Sequence, residues 1–421
     1  MARFGFFSLP LIGHLNPMAA LSQELERRGH ETSFFNIPEL GEAAQARRCR
    51  FVEFGAKTCP LGSMTAGFKR LTRLSGPEAD CAGLAVSDRY AEAVFAEAGP
   101  IVAEACIDVW LVDQFDYSAA SLAAYFKKPL VTLAVALLRN HEDGVPGFSG
   151  ELPSADSESR QRDQLANEKL LELSRPHRER VSWHRQAMGL SPFRYEDVWS
   201  KLAQISQQPA EFEFPRRELP ECFHFTGPFI DEASHPRVDF PWERLDRRPL
   251  IYASLGTLKS NYELLRKVCE ALEGADMQLV VSLGGEEPLE APQLPGGPLA
   301  VRFAPQLKLL ERADLMVTHA GMNSSLECLA YGVPMVVLPL AHDQFGIAAR
   351  VEWSGVGVRV QPEERTVERL KESIQTIFGT PKYREAAQDF ARLIRDRNGL
   401  SRAADIVEQV ARTGQPVLRG D

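Results

Sequence analysis

Several features that mark other classes of protein are scarce or missing in this sequence of 421 residues. Acidic residues outnumber basic ones by 57 to 48, giving a formal net charge of -9 and no basic surface for nucleic acid. The longest apolar run, Pro129 to Leu138, falls far short of the ~20 residues that a membrane span needs. We therefore expect no nucleic-acid partner and no membrane span, while peripheral contact with a membrane stays open.

Cysteine pairs are also missing. The seven cysteines are an odd number without a C-x-x-C pair, which argues against a disulfide framework or zinc cluster and for reduced thiols. The amino terminus, MARFGFFSLPLIG, resembles a short signal peptide, but its apolar run breaks at His14 and leads into an amphipathic helix. We therefore expect a cytoplasmic protein of two or three domains.

A further absence concerns dinucleotide binding. No G-x-G-x-x-G follows the first apolar strand, where SLPLIGHLNP stands, and no acidic residue ends the next strand, ETSFFNI. Both features argue against a nicotinamide-dependent dehydrogenase, and we expect no cofactor.

Apolar strand-like runs alternate with helical patterns in two series, which is typical of parallel sheets covered by helices. The first series contains RFGFFSL, ETSFFNI, DVWLVD and LVTLAV, with a long helical stretch ending near Cys106. The second contains LIYASLG, MQLVVSLGG, LAVRFAP, DLMVTHAG, PMVVLPL and GVGVRV. We predict an α/β fold of two doubly wound, Rossmann-like domains that face a central cleft.

The segment GPFIDEASHPRVDFPWERLDRRP is dense in proline and charge and is the candidate linker. We predict an amino-terminal domain over 1–230, a linker over 231–248 and a carboxy-terminal domain over 249–421. Residues 140–235 lack the alternation and are interpreted as a lid with extra helices. The final helices, from Val367 to about Arg412, are candidates for packing back across the linker.

The window THAGMNSSLECLAYGVPMVVLPLAHDQ, residues 318–344, contains the strongest sign of a binding site. His319 to Met322 follow the predicted strand DLMVT, and Asn323 begins the next helix, so free N-H groups and the helix dipole favour an anion there. Gly321 lets a phosphate approach the backbone. Glu327 lies one turn further on, where a carboxylate can hold paired ribose hydroxyls.

A purely structural interpretation of this window is also available. Ser324 and Glu327 have the spacing of a capping box, and a histidine near a helix start is often structural. The following GVPMVVLPLAHDQ repeats the strand-then-loop pattern, so Asp343 and Gln344 fall at the end of the adjacent strand. A carboxylate and an amide at that place suit a sugar better than a nicotinamide.

In this order the residues resemble the donor-binding signature of the family 1 glycosyltransferases, the UDP-glycosyltransferases of the GT-B fold. The matching positions are Phe303, Pro305, Gln306, His319, Gly321, Asn323, Ser324, Glu327, Gly332, Pro334, Pro339, Asp343 and Gln344. The resemblance implies that the aromatic residue stacks on uracil and that Gln306 and Glu327 bind uridine. It further implies that the residues from His319 to Ser324 hold the diphosphate and that Asp343 and Gln344 bind sugar hydroxyls.

Two further observations concern the donor. Plant members have tryptophan at the position of Phe303. Phenylalanine offers a smaller stacking surface, as in bacterial members, and this leaves dTDP-sugars as an alternative to UDP-glucose. The turn in YASLGT adds Ser254, Gly256 and Thr257 at a strand end, placed to reach the phosphates.

The motif GHLNPM follows the first strand, with Asn16 as the predicted N-cap and Pro17 as the first helical position. An isolated loop histidine is most often inert, but the family has its general base here, which implies that His14 is catalytic. An imidazole of near-neutral pKa suits deprotonation of an acceptor hydroxyl.

A histidine base needs a partner that orients it. Asp113 ends the strand in VWLVDQFDYSAA, and the family counterpart of this residue pairs with the histidine in the logic of a triad. Asp116 is the alternative, although its position at a helix start is explained by capping.

Departure of a diphosphate needs positive potential, and the sequence has no convincing D-x-D pair for a metal ion. We expect no metal and assign the role to the helix start at Asn323, with His319 and Thr257. Direct displacement then inverts the anomeric carbon.

The chain also resembles bacterial carotenoid (zeaxanthin-type) glucosyltransferases, in GHLNPM, LVDQ, PLIYASLGT, QPAEFEFPR and THAGMNSSLE, and it is similar to macrolide glycosyltransferases. A lipophilic hydroxylated acceptor is implied, whether a carotenoid, a flavonoid or other phenol, a sterol or a macrolide. Candidate apolar wall residues are Met64, Phe68, Leu138 and Phe148, although such residues are core packing more often than not. A nucleotide-sugar epimerase of the same fold and a catalytically silent sensor stay as alternatives.

Overall fold

The computed structural model describes residues 1–65, 67, 76–154, 156–235, 238–256, 261–284 and 294–420. Within these ranges the chain forms one seven-stranded and one six-stranded sheet, and every strand pair is parallel. The prediction of an α/β fold with two doubly wound domains is confirmed.

The first sheet has the strand order β3-β2-β1-β4-β5-β6-β7. The described elements of this half are β1 Arg3–Phe7, α1 Ile12–Arg27, β2 Glu31–Asn36, α2 Gly41–Ala46, β3 Phe51–Glu53, α3 Gly76–Ala93, α4 Gly99–Glu104, β4 Val109–Asp113, α5 Tyr117–Tyr125, β5 Leu130–Ala134, α6 Ser157–Leu173, α7 Arg175–Ala187, α8 Tyr195–Val198, β6 Ala203–Ser206 and β7 Phe223–Phe225.

The second sheet has the strand order β10-β9-β8-β11-β12-β13. Its half contains β8 Leu250–Ser254, α9 Tyr262–Ala271, β9 Gln278–Ser282, β10 Leu299–Val301, α10 Gln306–Leu310, β11 Leu315–Thr318, α11 Met322–Tyr331, β12 Met335–Val337, α12 Gln344–Trp353, β13 Gly357–Arg359, α13 Val367–Gly379, α14 Lys382–Arg397 and α15 Gly399–Thr413. Among the described residues, no helix is long and apolar enough to cross a bilayer.

Continuous apolar runs form the central strands because helices cover both faces of each sheet. All five residues of β4, VWLVD, are buried, as are those of β12, MVV. The strand order reverses between β1 and β4 in one sheet and between β8 and β11 in the other. Ligands bind at such reversals, outside the carboxyl ends of the strands.

The first helix begins earlier than predicted. α1 starts at Ile12 with Leu11 as its N-cap, so the assignment of Asn16 as N-cap and Pro17 as first helical position is wrong. Asn16 instead accepts a hydrogen bond from Arg47 Nε at 2.6 Å. Pro17 has no N-H for the carbonyl of Gly13, four residues back, which accepts from Asn323 Nδ2 at 2.7 Å instead.

Three strands were not predicted. β6 and β7 lie in the region interpreted as a lid, and they extend the first sheet beyond β5. β3 lies within the stretch predicted as helical and pairs with β2. These strands have three or four residues each, and each contains a polar residue, so none forms an apolar run in the sequence.

The last helix returns to the first half of the molecule. Apolar residues of α15 join the core around α1 and the first sheet; they are Leu400, Ala403, Ala404, Ile406, Val407 and Val410. Arg28 pairs with Asp405 at 2.6 Å and with Glu408 at 2.9 Å. Gly227, at the start of the linker segment, crosses the start of α15 so closely that a Cβ on Gly399 would lie 2.6–2.8 Å from its backbone atoms.

We expect Gly399→Ala to destabilise the protein by roughly 1–3 kcal/mol, because the added methyl group overlaps backbone rather than a flexible side chain. Gly379→Ala, at the end of α13 with open space around its Cβ position, is the matched control and should change stability little. Denaturant unfolding of both variants measures the difference. Equal stabilities would contradict the crossing described here.

Candidate active site

His14 and Asp113 are neighbours at the carboxyl ends of β1 and β4. His14 lies in the first turn of α1, and its Nδ1 is 2.6 Å from Asp113 Oδ2. The Asp113 carboxylate is fully buried and its Oδ1 accepts from the N-H of Phe115 at 2.9 Å. Because a carboxylate only accepts, Nδ1 carries the hydrogen and Nε2 is left for a ligand.

Asp116, the alternative partner, is used elsewhere. It caps α5 by accepting from the N-H of Ala119 at 2.9 Å, and it accepts from Tyr90 Oη at 2.9 Å. Burial raises the pKa of Asp116 to about 6 against these hydrogen bonds. The geometry therefore places Asp113, and not Asp116, against His14.

The surroundings of His14 favour its protonated form. Burial by itself would lower the pKa of His14, but the carboxylates of Asp113 and Asp343 outweigh burial and raise the pKa above 6.5. Asp343 belongs to the second half, at the N-cap of α12, and its Oδ2 lies 3.4 Å from the Leu137 N-H of the first half. Burial raises the pKa of Asp343 itself. The two halves thus bring an imidazole and a second carboxylate into electrostatic contact.

His319 follows β11 and lies between two glycines. A Cβ on Gly256 would lie 2.8 Å from the ring, and a Cβ on Gly321 would lie 2.6 Å from Nε2, so only glycine leaves room for the imidazole at either position. Burial lowers the pKa of His319 to about 4, although a hydrogen bond with the Ser254 backbone opposes the shift. His319 is therefore neutral at pH 7, where its ring can still donate one hydrogen bond, and its part in holding a diphosphate stays a prediction.

The start of α11 has the form of an anion site. Gly321 is the N-cap, no side chain caps the helix, and the first intrahelical bond runs from the Ser325 N-H to the Gly321 carbonyl. The preceding N-H groups have no partner within the helix. The predicted alternative, a capping box of Ser324 and Glu327, is not formed.

Gln306 connects three side chains near the proposed nucleoside. Its Nε2 donates to Glu327 Oε2 at 2.5 Å and to Ser324 Oγ at 3.2 Å, and its Oε1 accepts from Tyr252 Oη at 3.2 Å. Pro305 is the N-cap of α10, which begins at Gln306. Just before it, Phe303 is 43% exposed, with the Arg302 guanidinium 5.3 Å from its ring centroid, and a ring exposed in this way can stack on a base.

Two predicted donor residues make protein contacts in this structure. Asn323 spans the cleft, donating to the Gly13 carbonyl and accepting from Gln207 Nε2 at 3.0 Å. Gln344 Oε1 accepts from the N-H groups of Leu340 and Ala341 at 2.7 and 3.0 Å, leaving its NH₂ group for a ligand.

The predicted acceptor wall is not a continuous surface. Met64 and Leu138 are each 1% exposed within apolar core clusters, and Phe148 is half-buried, with the Arg139 guanidinium 5.4 Å from its ring centroid. Phe68 and the donor residue Thr257 lie outside the described residues.

Sequence reasoning missed Gln207, which contacts Asn323, and His235, which faces Glu327 at 3.8 Å. Both belong to the region interpreted as lid and linker, where no periodic pattern singles them out. Among the described residues, no three His, Cys, Asp or Glu side chains are grouped to hold a metal ion.

NMR titration of the nine histidines should resolve raised pKa values for His14 and His235 and a pKa near 4 for His319. In Asp343→Asn one negative charge near His14 is removed, so its proton should dissociate at a lower pH. Asp389→Asn, at an exposed carboxylate on α14, should leave His14 unchanged. A His14 titration that does not respond to Asp343→Asn would contradict the electrostatic contact across the cleft.

Comparison with known proteins identifies the family of this chain. The family model described as UDP-glucoronosyl and UDP-glucosyl transferase matches residues 187–420. A zeaxanthin glucosyltransferase of Pantoea ananas is 30% identical, with 100% of this chain and 98% of the relative covered. A 4'-demethylrebeccamycin synthase of Lentzea aerocolonigenes is 27% identical, with 97% and 99% covered.

The fold is shared with solved structures. The crystal structure of the glycotransferase of kitacinnamycin has a TM-score of 0.71 at 24% identity, over 97% of this chain and 98% of that chain. The matched family model, which spans more than half of the chain, and the full-length relative show that this chain belongs to the UDP-glucoronosyl and UDP-glucosyl transferase family and is a glycosyltransferase of the GT-B fold.

Proposed function

We propose that this glycosyltransferase moves a hexose, with glucose as the first candidate, from a UDP-sugar to a hydroxyl of a lipophilic small molecule, inverting the anomeric carbon. The observation that carries the proposal is the His14 and Asp113 pair on one half, in electrostatic contact with Asp343 on the other. The proposed general base, His14, and a carboxylate that can bind sugar hydroxyls, Asp343, thus lie at the same cleft.

His14 acts as the general base. Its Nε2 takes the proton of the acceptor hydroxyl as the oxygen attacks the anomeric carbon. Asp113 holds the ring by Nδ1 and stabilises the imidazolium that forms, which is the role of the acid in a triad. The raised pKa of His14 strengthens the base and moves the acidic limb of the rate profile to higher pH.

The second half stabilises the leaving diphosphate without a metal ion. The N-H groups at the start of α11 supply partial positive charge, and neutral His319 supplies one hydrogen-bond donor. Asp343 and the NH₂ group of Gln344 bind sugar hydroxyls. Attack by the acceptor opposite the diphosphate gives a β-glycoside from an α-linked donor.

The acceptor class rests on the relatives. Two zeaxanthin glucosyltransferases, at 30% and 28% identity, support a carotenoid first, and the 4'-demethylrebeccamycin synthase supports other natural products. Phenols, sterols and macrolides are the next candidates for the acceptor. We place the reaction in the cytoplasm, supported by free thiols at all six described cysteines.

The donor and acceptor are tested with UDP- and dTDP-sugars against zeaxanthin, a flavonol and a sterol, recording product mass and anomeric configuration. We expect a product one hexose heavier, β-linked, from UDP-glucose and a lipophilic alcohol. Turnover of UDP-glucose without an alcohol would favour an epimerase. Turnover with dTDP-sugars alone would favour the dTDP-dependent alternative.

The base is tested with His14→Ala and Asp113→Asn. We expect kcat to fall roughly 100- to 10,000-fold for His14→Ala, since general base catalysis contributes that much. His184→Ala, which removes a histidine paired with Glu92 outside the cleft, is the matched control. Undiminished transfer by His14→Ala would exclude this mechanism.

A further inference from the structure

Gln114 follows β4 directly after Asp113, and its side chain is 2% exposed. Its backbone is fixed on both sides. The N-H of Gln114 donates to the Leu133 carbonyl at 3.0 Å, and its own carbonyl accepts from Trp199 Nε1 at 3.0 Å. A buried amide is therefore held in one position beside the residue that orients His14.

This amide binds the segment 135–138, which follows β5 where the strand has left the sheet. All four residues of the segment are at most 8% exposed, so their carbonyl groups need hydrogen-bond donors within the protein. Gln114 Nε2 donates to the Leu137 carbonyl at 3.0 Å and to the Ala136 carbonyl at 3.3 Å. Gln114 Oε1 accepts from the N-H of Arg139 at 3.4 Å. One side chain thus binds this part of the chain at three points.

A second glutamine binds the same segment from the side of β6. The N-H of Gln207 donates to the Ala134 carbonyl at 3.3 Å, and its Nε2 donates to the Val135 carbonyl at 2.5 Å. The paired strands β5 and β6 end at Ala134 and Ser206, so the segment lies beyond the ladder. Side-chain amides supply the donors that a neighbouring strand supplies within the sheet.

The placement of the segment matters because Leu137 reaches the other half of the molecule. Its N-H donates to Asp343 Oδ2 at 3.4 Å. Burial raises the pKa of Asp343, and this hydrogen bond opposes the shift by stabilising the carboxylate. Leu137 therefore connects Gln114, through its carbonyl, with Asp343, through its N-H. A displacement of the segment would take this donor away from the carboxylate.

We propose that Gln114 is a positioning residue of this transferase: by holding the segment 135–138 it places the Leu137 N-H, which keeps the Asp343 carboxylate in position for the transferred sugar. Gln114 acts through the backbone of the segment and not by contact with a substrate. The inference rests on the proposed binding of sugar hydroxyls by Asp343. It makes the order of the donor site depend on a side chain of the opposite half.

The first measurement needs no substrate. Gln114→Met keeps a side chain of similar size but removes the amide, so Leu137 is no longer held against Asp343. We expect the His14 titration, followed by NMR, to move to lower pH, in the same direction as in Asp343→Asn and by less. In the double variant Gln114→Met/Asp343→Asn the methionine should add no further change, because the carboxylate through which Gln114 acts is gone.

The second measurement separates KM from kcat, with UDP-glucose as the varied substrate. We expect Gln114→Met to raise KM roughly 3- to 10-fold, the effect of losing about one hydrogen bond, and to change kcat less. Gln114→Asn, whose amide is one methylene group shorter, should raise KM by a smaller factor. It also keeps the inference testable if Gln114→Met does not fold.

Gln23→Met is the matched control, because Gln23 is also a buried glutamine whose amide donates to a backbone carbonyl, that of Arg47 at 2.6 Å, between α1 and the end of α2. It should leave both the His14 titration and KM unchanged, even if it lowers stability.

A His14 titration that ignores Gln114→Met, or that moves equally with and without the Asp343 carboxylate, overturns this inference alone. If the wild type transfers nothing from UDP-glucose, or Asp343→Asn leaves KM unchanged, the proposed donor site falls instead. The His14 titration still shows in that case whether Gln114 places Asp343, since it needs no donor.

Discussion

The buried ion pair between Glu213 and Arg350 fixes the two halves against each other, and the geometry of the cleft depends on it. The two side chains lie 2.5 Å apart and are at most 1% exposed. Burial by itself would raise the pKa of Glu213, but Arg350 outweighs burial and lowers it. A buried charge without its partner is costly, so this contact strongly favours one placement of the halves. Arg350 also donates to the Pro146 carbonyl of the opposite half, which extends the contact.

The cleft itself is closed by polar groups that the proposed donor would also use. Asn323 bonds to the Gly13 carbonyl, which Pro17 has freed from the helix, and Asp343 accepts from the Leu137 N-H. A diphosphate at α11 and a sugar at Asp343 would compete with these contacts between the halves. Binding of the proposed donor would therefore be coupled to the relative placement of the halves through the same side chains.

Much of the fold and of the candidate site was predictable because the signals are local. Apolar runs mark buried parallel strands, and the residue after each strand falls at a known edge of the sheet, which places His14, Asp113 and His319. The start of α1 and the short strands β3, β6 and β7 were not predictable. Pro17 has the local pattern of a first helical residue, and only the tertiary contact with Asn323 satisfies the carbonyl that it frees. The three short strands each contain a polar residue and so form no apolar run.

The sequence by itself determined the fold class, the family resemblance and the identity of the residues at the strand ends, because these follow from the order of residues within short segments. Only the tertiary structure decided the charge states and the partners. His14 and His319 are both histidines after central strands, yet the pKa of one is raised by carboxylates from two other segments and that of the other is lowered to about 4 by burial. His235 likewise meets Glu327 only because the linker passes α11. Electrostatics and burial depend on contacts between segments far apart in the chain, and no local pattern records them.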